Sequence, residues 1–190
     1  MQTLRFVRHG ATAPNLAGLR CGGDLDVPLT DTGRQQARAA AQHIAGLGWH
    51  IGLVITSDLK RTSETASIIA KLLGGVEVLT EPAFAERRLG QWNLLPIADS
   101  QPWLEARLAP PGGEAHEAFA QRILGAAQAL LPCLARRPLL VGSKGVARVL
   151  GELCQGAAPN DRRPALANGG LLQFDLSTLT RRASATRPCA

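Results

Sequence analysis

Short runs of branched apolar residues alternate along this chain with longer stretches of helical spacing. The runs are Thr3–Arg8, Ile51–Thr56, Val76–Thr80, Leu139–Gly142 and Leu171–Asp175, each bounded by Gly, Pro, Ser or Asp, and each reads as a strand. Between the first two lies Asp31–Leu47, capped by Thr30 or Asp31 and carrying Ala37, Ala40, Ala41, Ile44 and Leu47 on one face. Asp58–Leu73 repeats that spacing, Glu114–Ala135 is the longest such stretch, and Gly145–Leu153 follows the fourth run directly. Strands alternating with helices imply parallel neighbours joined by crossover helices. The predicted fold class is therefore α/β, a three-layer sandwich with a mostly parallel central sheet flanked by helices. A single domain is expected over residues 1–190. The Pro-, Trp- and Arg-rich stretch from Pro82 to Gly113 breaks the rhythm and reads as an excursion over the active site.

Composition narrows the classes of function. A formal net charge of +6 favours anionic partners. The arginines are nevertheless scattered, with only short pairs at Arg87-Arg88, Arg136-Arg137, Arg162-Arg163 and Arg181-Arg182. Aromatic residues make up 4% of the chain and tyrosine is absent, so no stacking platform or basic stripe for nucleic acid is expected. No apolar run approaches the ~20 residues that span a bilayer, and the strand-like start leaves no room for a signal peptide. Cys21, Cys133, Cys154 and Cys189 share no metal-ligand spacing and read as free thiols of a reducing compartment, the cytoplasm. No metal site is expected. Homo-oligomerisation stays open. The tail from Thr180 is polar and is expected to fray.

The first run ends in Arg8-His9-Gly10, so a buried strand delivers two reactive side chains to a sheet edge, where ligands of open α/β sheets sit. An imidazole there can attack or bind a phosphoryl group. Arginine forks at Arg8 and Arg61 match phosphate oxygens, and Arg61 lies near a helix start that also favours an anion. Asn15 and Thr12 supply neutral donors, and Glu86 is a carboxylate suited to moving a proton to and from the leaving oxygen. His43 and His50 read as structural or solvated. His116, at a helix start beside the excursion, has a weaker case as a substrate contact, and Trp92 and Trp103 read as filling beneath the excursion.

Several segments carry a resemblance. Arg8-His9-Gly10-Ala11-Thr12 with Asn15, Pro28-Leu29-Thr30-Asp31-Thr32-Gly33 before Gln36-Ala37, and Ser57-Asp58-Leu59-Lys60-Arg61-Thr62 with Thr65-Ala66 occur in order. Glu86 with Gly90 and Trp92, then Pro110-Pro111-Gly112-Gly113-Glu114, complete the set. With these motifs the chain resembles the histidine phosphatase superfamily, the phosphoglycerate mutase-like family, from Leu4 to about Leu153. The resemblance implies a phosphohistidine on His9, proton transfer by Glu86, and phosphate binding by Arg8, Thr12, Asn15 and Arg61, with no cofactor and no metal.

Two positions depart from the family pattern. Where the resemblance expects Ser-His-Gly after the fourth strand, this chain has Ser143-Lys144-Gly145, so Lys144 and Gly145 are the expected phosphate contacts. A lysine keeps the charge but loses the flat ring and its acceptor. Where many relatives carry Trp-Glu-Gly, this chain has Trp92-Asn93-Leu94. The expected function is a phosphomonoesterase acting on a small phosphorylated metabolite. A phosphate-binding or regulatory protein that lost turnover is the alternative, and a phosphoglycerate-type mutase is a third reading that the short excursion disfavours.

Overall fold

The computed structural model describes residues 2–155 and 166–179. The tail from Thr180, Cys189 and the pairs Arg162-Arg163 and Arg181-Arg182 lie outside the described residues. Strands β1 (Thr3–Arg8), β2 (Leu53–Thr56), β3 (Val78–Thr80), β4 (Pro138–Gly142) and β5 (Leu171–Asp175) form one sheet in the order β3-β2-β4-β1-β5. All neighbours are parallel except β5, which runs antiparallel to β1. Helices α1 (Ala13–Leu16), α2 (Asp31–Gly46), α3 (Lys60–Leu72), α4 (Ile97–Glu105), α5 (His116–Ala129) and α6 (Lys144–Gln155) complete the described fold, with short 3-10 turns between them.

Strand periodicity divides the core in two. Leu4, Phe6, Leu53, Ile55 and Leu140 point to one face, where Phe119 and Ile123 of α5 and Val149 and Leu150 of α6 cover them. Val7, Val54, Leu139 and Val141 point to the other, against Ala40, Ala41 and Ile44 of α2 and Ala66, Ile69 and Ala70 of α3. Alternate residues of one strand thus feed opposite layers. The small residues of α2 and α3 let those helices lie close to the sheet. The expected three-layer, mostly parallel α/β architecture is what the chain forms.

The differences from expectation are local. Strands β2 and β3 start two residues later than their apolar runs. Gly52 instead donates its N–H to the Arg136 carbonyl at 3.1 Å, and Val76 closes the end of α3 through the Ala70 carbonyl at 3.2 Å. The stretch predicted as one helix over Glu114–Ala135 is α5 followed by a 3-10 segment, Leu131–Arg136. Pro132 lacks the N–H that the next α-helical hydrogen bond would use. The excursion holds α4, with Pro102 inside it. Among the described residues Cys21, Cys133 and Cys154 are free thiols, and no helix is long and apolar enough to cross a membrane.

Candidate active site

The end of β1 is held from every side. His9 donates its backbone N–H to the Gly142 carbonyl of β4 at 2.9 Å. Beyond the strand, Gly10 N–H donates to Thr65 Oγ1 of α3 at 3.1 Å and Ala11 N–H to Gln36 Oε1 of α2 at 2.8 Å. Side chains of two helices therefore satisfy backbone that the sheet has released. Glycine at position 10 is a packing demand. A Cβ there would lie 2.2 Å from the Gly33 carbonyl oxygen, and one on Gly33 would lie 2.2 Å from that of Ala11.

The His9 ring is buried, and its Nδ1 lies 2.7 Å from the Gly10 carbonyl oxygen. A carbonyl only accepts, so Nδ1 carries the hydrogen and Nε2 holds a free lone pair. Burial, then the charge of Arg61, and also that of Arg8, push the imidazole down to about 3 against the pull of the Gly10 carbonyl. The ring is neutral at any ordinary pH. The unfolded chain takes up this proton near pH 6.5 and the folded chain does not. Stability should therefore fall as pH drops below about 6.5, by up to ~1.4 kcal/mol per unit from this residue. Imidazole NMR should show His9 untitrated between about pH 5 and 8, whereas a midpoint near the ordinary 6.5 would contradict the burial argument.

Two arginines flank this ring. Arg61, in the first turn of α3, is 0% exposed. It donates Nη1–H to the Leu25 carbonyl at 2.8 Å and Nη2–H to the Gly22 carbonyl at 3.0 Å. Its own carbonyl accepts from Thr65, the residue that holds Gly10, at 2.7 Å. Arg8 donates Nη1–H to the Leu166 carbonyl at 2.6 Å. Arg8 Nε, Arg61 Nε and Ser143 Oγ, which follows the Gly142 that binds His9, are buried with no partner. An unmet buried donor costs roughly 1–3 kcal/mol. The oxygens of a bound phosphoryl group would meet such donors.

Glu86 reaches the site from the loop after β3. Its Oε2 accepts from Gly145 N–H at 2.9 Å and its Oε1 from Arg87 N–H at 2.8 Å. The carboxylate thus sits on the N-terminus of α6, where the helix dipole favours it. The Gly145 N–H expected to face phosphate is engaged by Glu86. Lys144, the first residue of α6, is exposed. Burial of part of its chain, then the charges of Arg8, Arg20 and Arg148, hold its ammonium below the usual value, against the pull of Glu86.

Thr12 and Asn15 form a reciprocal cap on α1. Thr12 Oγ1 accepts from Asn15 N–H at 3.4 Å and Asn15 Oδ1 accepts from Thr12 N–H at 3.3 Å. Thr12 is 0% exposed and so orients Asn15. The sequence reading missed Asn168, whose Nδ2 donates to the His9 carbonyl at 2.9 Å and to Asn15 Oδ1 at 3.3 Å. Its only local signal was the Asn168-Gly169-Gly170 turn before β5, with Gly169 at φ +77°.

The excursion packs on this site through Arg20 and Asp24. Asp24 accepts from Leu89 and Gly90 N–H and from Asn93 Nδ2, which hold its carboxyl below the usual range despite partial burial. Asn93 Oδ1 in turn accepts from Gly22 N–H at 2.7 Å. Asn93 thus ties the excursion to the loop that carries the Gly22 carbonyl bound by Arg61. His116 is buried, with Nε2 3.9 Å from Glu152 and Nδ1 unpartnered. Trp92 is buried against the partly exposed Trp103, ring centres 5.2 Å apart.

Leu94 stands at φ +63° and is 51% exposed, at the position where the resemblance expects glycine. A left-handed conformation costs a branched side chain roughly 1–2 kcal/mol, and glycine loses part of that gain to its unfolded-state freedom. Leu94→Gly should therefore raise the urea midpoint by the equivalent of about 0.5–1 kcal/mol. A lower midpoint would mean that the Leu94 side chain packs more firmly than its exposure suggests.

Comparison with known proteins identifies the family and fold. The model of the histidine phosphatase superfamily (branch 1) matches residues 4–184. A probable phosphoglycerate mutase GpmB of Photorhabdus laumondii is 36% identical, covering 92% of this chain and 85% of its own. An uncharacterized phosphatase, PhoE, of Bacillus subtilis is 28% identical over 93% and 90% of the two chains. Among solved structures, a mycobacterial glucosyl-3-phosphoglycerate phosphatase in complex with VO3 superposes with a TM-score of 0.78 at 28% identity, covering 91% of this chain and 90% of that one.

Proposed function

Because this chain belongs to the histidine phosphatase superfamily, we propose that it is a phosphomonoesterase that hydrolyses a small phosphorylated metabolite through a phosphohistidine on His9. The observation that carries the reading is the His9 ring itself, neutral, with Nδ1–H given to the Gly10 carbonyl and the charges of Arg61 and Arg8 acting on it. The names of the GpmB, PhoE and mycobacterial relatives support a phosphatase or mutase. We also place the protein in the cytoplasm, a reading supported by the free Cys21, Cys133 and Cys154.

In the first step Nε2 attacks phosphorus and the P–O ester bond breaks, the leaving oxygen taking through the Glu86 carboxylate the proton that the ester monoanion brings in. In the second, water attacks the phosphohistidine, its proton passes to Glu86, and the P–N bond breaks to release phosphate. Arg8 and Arg61 stabilise the charge on the equatorial oxygens in both steps. Asn15 adds a neutral donor, oriented by Thr12 and Asn168. Lys144 supplies a cation at the entrance in place of the second histidine.

A second reading is a phosphate-binding protein without turnover, favoured by the exposed, flexible Lys144. One experiment separates them: phosphate release from a panel of small phosphomonoesters by wild type and His9→Ala, with acid-labile phosphate on the protein measured in parallel. The phosphatase reading expects release that disappears in His9→Ala, a loss of at least about 1,000-fold. Tight ester binding with no release from either protein would establish the binding reading instead.

A further inference from the structure

We propose that Gln36 of α2 is a positioning residue for the nucleophile. It holds the His9 ring in its attacking tautomer through the Gly10–Ala11 peptide, which takes the place that a carboxylate has beside the histidine of a serine-hydrolase triad. This deepens the phosphatase reading and rests on it.

A trans peptide is planar, so its C=O and N–H point in opposite directions and turn together. The Gly10 carbonyl and the Ala11 N–H belong to one such peptide. On one side the carbonyl oxygen lies 2.7 Å from His9 Nδ1, and on the other the N–H donates to Gln36 Oε1 at 2.8 Å. A rotation that carries the carbonyl away from the ring therefore breaks the bond to Gln36 as well. Hydrogen bonds in a chain polarise one another, so the Gln36 amide also makes the Gly10 carbonyl a better acceptor. An acceptor fixed at Nδ1 keeps the hydrogen there and leaves the lone pair on Nε2, the atom that attacks. The other tautomer would set two lone pairs against each other at that distance.

Gln36 is anchored for this role. It lies three residues after Gly33, on the face of α2 that packs on the turn beyond His9, where a Cβ on Gly33 would lie 2.2 Å from the Ala11 carbonyl oxygen. That carbonyl accepts from the N–H and from the hydroxyl of Thr30, each at 3.0 Å. Thr30 Oγ1 also caps α2, accepting from Gly33 N–H at 3.1 Å. The start of α2 thus grips both polar groups of Ala11. The preceding peptide, His9–Gly10, is held separately, its C=O by Asn168 Nδ2 at 2.9 Å and its N–H by Thr65 Oγ1 at 3.1 Å. Those bonds fix the backbone of His9. Among the described residues, the Gln36 bond alone holds the N–H of the peptide that meets the ring.

Substitutions at Gln36 test the proposal. Gln36→Met keeps an unbranched, helix-favouring chain but offers only a thioether, a weak acceptor. It should lower kcat by about 30-fold and move KM by less than about threefold. Imidazole 15N spectra should show His9 wholly as the Nδ1–H form in wild type, and the Nε2–H form entering in Gln36→Met. Gln36→Glu presents a carboxylate oxygen to the same N–H, and should keep the wild-type tautomer and a kcat within about threefold. If Gln36→Met does not fold, Gln36→Asn, whose amide is one methylene short, carries the same expectation. An unchanged tautomer, or a kcat within about threefold of wild type, in the variant without the acceptor overturns the proposal. So does a Gln36→Glu protein that loses as much as Gln36→Met. If wild type hydrolyses no phosphomonoester but the tautomer shifts in Gln36→Met and not in Gln36→Glu, the positioning of the ring stands and the phosphatase reading fails. No turnover and no shift overturns both.

Discussion

Arg61→Met should lower phosphomonoester turnover by about 1,000-fold and leave the protein as stable as wild type or more so. The loss follows from the position of the guanidinium beside His9, where its charge is felt by the ring. Preorganised donors of this kind contribute roughly 3–4 kcal/mol to a transition state. The stability claim weighs two opposed effects. Methionine fills a similar volume but leaves the Gly22 and Leu25 carbonyls without their donors, a cost of about 1 kcal/mol each. Against this, a cation that is 0% exposed, paired with no carboxylate among the described residues and carrying an unpartnered Nε is itself expensive to bury, at several kcal/mol. The second term is the larger. Phosphate release and a urea melt check both halves, and an Arg61→Met protein that is active, or unfolds readily, would show that this arginine is structural.

Gly145→Ala should cost about 100-fold in turnover, because it dislodges Glu86. The new methyl would lie 2.1 Å from Glu86 Oε1, on the N–H that holds Oε2. The control is Gly125→Ala in the middle of α5, where a Cβ meets nothing within 4 Å. There alanine should stabilise by about 0.5–1 kcal/mol and leave turnover alone. The same chemical change in two helices has opposite expected consequences, since only one glycine makes room for a carboxylate. Kinetics and melts of both variants decide it. Full activity in Gly145→Ala would remove Glu86 from the proposed proton transfer.

The site was legible in uneven measure. Arg8, His9 and Arg61 were readable because each sits at the end of a strand or the start of a helix, and element ends of a parallel sheet converge on one edge. The cap formed by Thr12 and Asn15 was half readable: two residue types that can donate stand close together, but their mutual bonds are not visible in the sequence. Gly145 reads as a phosphate contact, and what no local pattern shows is that its N–H is bonded to a carboxylate from a distant loop. Helix α4 went unseen, since its Pro102 and weakly amphipathic sequence hide it. Its place is set by Arg20, reaching from a loop some eighty residues earlier.

Periodicity and punctuation are local properties, so the chain alone determined its strands, its main crossover helices and the α/β layering. β1 and β5 begin and end where their apolar runs do, and the proline after α5 marks its break. The tertiary structure alone decided which groups share the space around His9. Asn168 holds the His9 carbonyl from 159 residues away, and Thr65 and Gln36 hold the turn beyond it from two separate helices. Buried backbone N–H and C=O groups must all find partners. Which side chain answers each of them depends on how the helices are stacked on the sheet, and no local pattern encodes that.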